Sequence, residues 1–171
     1  MARSALGPVL GSLLFLVVAP GTLAGWVPWW ITAWRLDAPL LGWSGGRWVG
    51  GLLIAAGLVG LLDSFARFAL EGRGTPAPVA APERLVVTGL YRHVRNPMYV
   101  CVFSLVVGQG LLFGSVALIR YALVLALGFS AFVLLYEEPT LRERFGREYL
   151  AYCAAVPRFW PRLKPWRPEA R

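Results

Sequence analysis

Gly89-Leu90-Tyr91-Arg92-His93-Val94-Arg95-Asn96-Pro97-Met98-Tyr99 sets two arginines, the single histidine, an asparagine and two tyrosines directly before a long apolar run. Asn96 followed by Pro97 is a helix start, with asparagine suited to the N-cap and proline to the first turn. The helix it opens, from Met98 to Phe113, has ~16 residues and measures ~24 Å, less than the ~30 Å core of a bilayer. Its N-terminus is therefore expected at or below the level of the inner headgroups. Free backbone N–H groups and the positive end of the helix dipole, flanked by Arg92 and Arg95, make an anion site there.

Composition sets the class. Hydrophobic residues make up 57% of the chain and charged residues 15%, which excludes a soluble domain. The 171 residues have room for one membrane domain, with N-terminal helices over 1–70 and a polar-motif core over 72–163. The formal charge of +8 lies beside the apolar runs. That arrangement points to anionic lipid headgroups rather than nucleic acid. Cys101 and Cys153 match no metal or redox spacing, and no metal is expected.

Gly7 to Ala24 reads as a first membrane helix, with a kink at Pro20-Gly21. Tryptophans 26, 29, 30, 34, 43 and 48 mark a membrane–water interface around the loop from Arg35 to Arg47. Trp48 to Leu70 is ~23 residues, long enough to span. On it, Asp63 and Arg67 stand four apart, as an intrahelical ion pair or a functional pair. A Gly/Pro linker follows over Glu71–Pro82, and Leu85–Thr88 is too short for a strand. After the helix ending at Phe113, Gly114-Ser115 reverses the chain into a second ~22-residue span, Ser115–Tyr136. Gln109, inside the third helix, must face protein or a ligand, because an unpaired amide in lipid is costly. Glu137-Glu138-Pro139 is expected to end the fourth span. Leu141, Phe145 and Tyr152 then form a stripe suited to a helix lying on the membrane. The fold class is all-α integral membrane: about four transmembrane helices plus a C-terminal amphipathic interfacial helix.

With four crossings, the N-terminus, the 71–97 loop and the tail share one side. That side holds Arg3, Arg73, Arg84, Arg92, Arg95 and the eight basic residues from Arg142 onward. The opposite side holds Arg35, Arg47 and Arg120. The positive-inside rule makes the basic side, with both termini, cytosolic, in a membrane of the bacterial inner (plasma) type. Two separated polar motifs then face one compartment at one depth.

Glu137 and Glu138 sit where a helix dipole is negative, so something cationic must compensate them. Arg142 and Arg144 are one candidate; a ligand ammonium is the other. Beside the Arg92/Arg95 cradle, the acidic pair would complete a site for a zwitterion such as an amino acid. Tyr91, Tyr99 and Tyr136 would add a flat or cation–π contact, or serve as interfacial anchors.

The 89–99 stretch, Glu137-Glu138, Phe145-Gly146, Glu148-Tyr149, Tyr152 and Val156-Pro157-Arg158 together resemble the isoprenylcysteine carboxyl methyltransferase family, whose wider group includes phospholipid N-methyltransferases. The resemblance covers residues 72–163. It implies an integral-membrane enzyme that uses S-adenosylmethionine, releases S-adenosylhomocysteine and has no Rossmann domain. By position it implies a cofactor site of Arg95, Asn96, Pro97 and Tyr99, together with Tyr91, Arg92 and His93 of the same stretch. Glu137 and Glu138 would receive the ammonium or adenine, and Gln109 matches a polar residue of the third helix. Tyr149, Tyr152 and Arg158 would belong to a closing segment, the last two being the candidate catalytic residues.

Two positions depart from the family pattern. Asn96 stands where the family has a histidine; an amide donates a hydrogen bond but is no base. Val133-Leu134-Leu135-Tyr136 stands where the eukaryotic enzymes carry a charge before the acidic pair. The reading is methyl transfer to a carboxylate or amine of an amphiphilic acceptor, isoprenoid or phospholipid, entering from the bilayer. The alternatives are an NADPH-dependent membrane reductase of the sterol-reductase type and a non-catalytic lipid-binding membrane protein.

Overall fold

The computed structural model describes residues 6–71 and 84–167. Arg3, Arg73 and most of the expected Gly/Pro linker lie outside the described residues. Within them the chain is helical: α1 (Leu6–Gly21), α2 (Val27–Thr32), α3 (Gly45–Glu71), α4 (Pro97–Phe113), α5 (Val116–Phe132) and α6 (Glu138–Ala155). Three helical stretches are long and apolar enough to cross a membrane: Leu10–Thr32, Gly45–Glu71 and Val116–Ala155. Pro97–Phe113 is a shorter apolar helix. The all-α membrane class therefore holds, and short 3₁₀ turns at Leu40–Gly42 and Gly89–Arg92 fill the connections.

The first helix is longer than expected. It carries through Pro20 and, instead of stopping near Ala24, widens into a π-turn over Thr22–Trp26 before continuing as α2. Pro28 explains the widening. It has no N–H, so the carbonyls of the preceding turn lose a donor. Two side chains from other helices replace it: Gln109 Nε2 donates to the Ala24 carbonyl at 2.7 Å, and the Tyr121 hydroxyl donates to the Leu23 carbonyl at 3.1 Å. Gln109 also reaches the Leu105 carbonyl of its own helix at 3.2 Å. The expectation that Gln109 faces protein or ligand resolves to protein: its amide mends a proline break.

Helices α3 and α4 approach through glycine. A Cβ on Gly50 would lie 2.6 Å from the Gly108 carbonyl oxygen, and one on Gly108 would lie 2.7 Å from that of Gly50. Such backbone-to-backbone packing is how helices associate where lipid supplies no hydrophobic drive. The α4–α5 reversal falls at Gly114-Ser115 as expected, with Gly114 left-handed (φ 74°) and Ser115 Oγ accepting from the Leu118 N–H at 3.3 Å.

At the inner end of α3 the Asp63–Arg67 pair is intrahelical, at 2.9 Å, and Arg67 also meets Glu71 at 3.5 Å. The guanidinium lies against Gly89, whose φ of 52° and lack of a Cβ admit it, and the Thr88 hydroxyl donates to Glu71. The pair therefore seats the stretch with which α4 begins.

Pro139 does not end the last span. A second π-turn, Val133–Glu137, leads from α5 directly into α6, and Pro139 falls just beyond that turn inside the continuing helix. The break comes instead at Gly146 (φ 50°, ψ −121°). The stripe expected to face the membrane, which runs across this break, turns inward. Tyr149, Tyr152 and Val156 are buried, with Leu141, Phe145, Leu85, Val87 and Trp166 packed against them.

Candidate functional site

The 3₁₀ turn Gly89–Arg92 leads into a strap, residues 92–96, that pairs with the tail. Arg95 N–H donates to the Pro157 carbonyl at 2.9 Å, Arg162 N–H to His93 at 2.9 Å and Trp166 N–H to Arg92 at 2.9 Å. Side chains repeat the connection: Arg92 Nε donates to the Trp166 carbonyl at 2.6 Å, and His93 Nδ1 lies 2.8 Å from the Arg162 carbonyl. Asn96 precedes the helix as expected, but its amide does not cap it. Nδ2 donates instead to the Arg158 carbonyl at 3.1 Å. Tyr152 closes the same layer, its buried hydroxyl donating to the Tyr91 carbonyl at 2.6 Å.

The acidic pair meets this strap, and its two members differ. Glu138 is 4% exposed and saturated with cations. Arg158 Nε and Nη2 donate to it at 2.6 and 3.0 Å, Arg95 Nη1 lies at 3.0 Å, and Arg142 is within 3.8 Å. The bond to Glu138 raises the Arg158 guanidinium further above its usual range, so it stays cationic. Glu137 has no ion pair among the described residues. Its Oε2 accepts from the Tyr99 hydroxyl at 2.8 Å.

Glu137 lines a cavity of about 120 Å³ together with Tyr91, Arg95, Asn96, Pro97 and Tyr99. Phe15, Pro20 and Leu23 of the first helix, Phe65 and Phe68 of α3 and Phe129 of α5 complete the wall. Arg95 Nε is buried without a hydrogen-bond partner among the described residues. Its Nη1 also donates to the Cys153 thiol at 2.7 Å. Burial pushes the Tyr91 hydroxyl well above its ordinary range, keeping it a neutral donor.

A second, larger cavity of about 400 Å³ adjoins the first. Val100, Phe103 and Ser104 of α4, Ala126 and Ser130 of α5, and Phe159, Trp160 and Pro161 of the tail line it. No charged side chain lines it, and it shares Tyr99 and Phe129 with the first cavity.

The structure thus brings Tyr91, Arg95, Asn96, Pro97, Tyr99 and Glu137 to one cavity and sets Glu138 and Arg158 behind Arg95. Arg92, His93, Tyr149, Tyr152 and Gln109 do not line it; they hold the strap, the tail and the first helix. Sequence reasoning missed Phe15, Phe65, Phe68 and Phe129, which carry no signal beyond apolar spacing. Among the described residues no cluster of three or more His, Cys, Asp or Glu could hold a metal.

The phospholipid methyltransferase family matches residues 46–148. The chain belongs to that family. The match begins inside α3, earlier than residue 72, and takes in the Phe65, Phe68, Arg95, Tyr99, Phe129 and Glu137 walls of the cavity. Two curated relatives are similar. A nickel-cobalt-cadmium resistance protein, NccN, of Alcaligenes xylosoxydans xylosoxydans is 32% identical over 130 residues, 72% of this chain and 56% of its own length. A cobalt-zinc-cadmium resistance protein, CzcN, of Cupriavidus metallidurans is 33% identical over 129 residues, 73% of this chain and again 56% of the relative. The chain therefore spans about half the length of these relatives. No solved structure matches it.

Proposed function

We infer that the protein is a membrane methyltransferase using S-adenosylmethionine, with the amino-acid end of the cofactor in the cavity between Arg95 and Glu137. One observation carries this reading. Arg95, whose buried Nε has no hydrogen-bond partner among the described residues, and Glu137, which has no ion pair among them, line the same small cavity. Each is costly alone, and a zwitterion would satisfy both. Ligand pockets usually run to roughly 300–1,000 Å³, so a cavity of about 120 Å³ suits the amino-acid portion rather than the whole cofactor.

When bound, the cofactor would supply a sulfonium methyl: the lone pair of an acceptor that arrives deprotonated forms the new bond to carbon, and the carbon–sulfur bond breaks with its electron pair going to sulfur. The residues present bind and align. Arg95 would take the carboxylate and Glu137 the ammonium, with Tyr99 fixing Glu137 and Glu138 fixing Arg95. Alignment in a water-poor site can lower a barrier by ~7–11 kcal/mol without an acid or base. The uncharged cavity beside it would admit the apolar body of an acceptor from the bilayer, and the basic face would be cytosolic. The names of the two relatives concern metal resistance and do not say what is methylated.

Protein purified into nanodiscs should bind S-adenosylhomocysteine saturably in calorimetry, with NADPH failing to compete. Membranes given methyl-labelled S-adenosylmethionine should carry label in their lipid extract. NADPH binding without S-adenosylhomocysteine binding would replace this reading with a reductase, and label confined to protein would exclude a lipid acceptor.

A further inference from the structure

Tyr99 and Phe129 are the two side chains common to both cavities, and their rings pack with centroids 4.9 Å apart, inclined at 45°. They form a wall between a compartment with charged groups and one without. The two members are held differently. Tyr99 is tied at its hydroxyl to Glu137 at 2.8 Å. Phe129 has only van der Waals neighbours, and it stands four residues before the π-turn Val133–Glu137, with its carbonyl accepting from the Val133 N–H at the end of α5. A ring held only by packing changes rotamer far more readily than one also tethered by a buried charge-assisted hydrogen bond.

We propose that Phe129 is the positioning residue of this site, a partition that separates the acceptor's apolar body from the cofactor's amino-acid end and sets how far the acceptor advances. This rests on the methyltransferase reading for what occupies each side, while the partition itself is a property of the two cavities. With Phe129 in place, an apolar chain stops at the ring face, and only a small reactive end passes the edge of Tyr99. Without it, the two compartments merge and the chain runs on toward Phe15, Phe65 and Phe68. The larger cavity has no cation for a phosphate or carboxylate and no acid for an ammonium. The part of the acceptor it takes is therefore uncharged.

The test uses full-length protein in phosphatidylcholine nanodiscs and a hexadecanol carrying a diazirine on its apolar chain, several carbons back from the hydroxyl. Labelled residues are read by mass spectrometry after illumination. In the wild type, label should fall on Phe103, Ser104 and Trp160 and be absent from Phe15, Phe65 and Phe68. In Phe129→Ala, label should appear on those three phenylalanines, with a smaller gain in the conservative Phe129→Leu, which preserves packing should the alanine variant misfold. Excess S-adenosylhomocysteine should suppress only the new label. Label on the cavity phenylalanines already in the wild type, or an unchanged pattern in both variants, overturns the partition. New label that S-adenosylhomocysteine fails to suppress upholds the partition and removes the cofactor from this cavity.

Discussion

Glu137 and Glu138 are adjacent in the chain and have opposite electrostatic roles. Glu138 is enclosed by Arg95 and Arg158, so Glu138→Ala leaves two guanidinium groups without their counter-ion. Removing one partner of a buried pair costs ~3–5 kcal/mol, and the solvent-screened Arg158 puts this case at the lower end. Thermal unfolding in detergent should show that loss as a fall in Tm. Glu137→Gln retains an acceptor for the Tyr99 hydroxyl, so its unfolding should stay within ~1 kcal/mol of the wild type. Its affinity for S-adenosylhomocysteine should fall nonetheless. The sequence shows that two carboxylates at a helix end need cations. It does not show which one is already served, because that depends on the π-turn at 133–137 and on a tail arginine twenty positions away.

The helices themselves were legible, since apolar runs and the Asn96-Pro97 and Gly114-Ser115 boundaries are local signals. What the prolines do was not. Pro28 and Pro139 each follow a π-turn and neither ends a helix; at the first, the groups that replace the lost N–H, Gln109 and Tyr121, come from other helices. If Gln109 mends the break, Gln109→Leu should cost ~0.5–2 kcal/mol in the wild type and less in a Pro28→Ala background, where the restored N–H serves the same turn. A double-mutant cycle of unfolding free energies measures the coupling. Equal costs in both backgrounds would contradict the pairing. In the same way, Gly108→Val should separate α3 from α4, lowering Tm by more than the equivalent change at Gly128, which has open space around it.

For the whole molecule, the strap of residues 92–96 and the tail make one layer, and the tail supplies Arg158 to Glu138 and Trp160 to the second cavity. Truncation after Val156 should therefore weaken S-adenosylhomocysteine binding even though no residue removed lines the Arg95–Glu137 cavity. A truncated protein with full affinity would show that the layer is dispensable. The tail's inward packing was illegible in sequence because an amphipathic stripe looks alike whether lipid or protein covers it; the kink at Gly146 and the partners Leu85, Val87 and Trp166 decide the matter. Everything in the account turns on Arg95 and Glu137 holding opposite ends of one ligand. The most direct measurement compares S-adenosylhomocysteine with its analogue lacking the amino group, against wild type and Glu137→Gln. Glu137→Gln should weaken the parent ligand by about tenfold or more, near the ~1.4 kcal/mol of a lost charge-assisted bond, and leave the deaminated analogue unchanged. Equal losses for both ligands, or none for either, would contradict it.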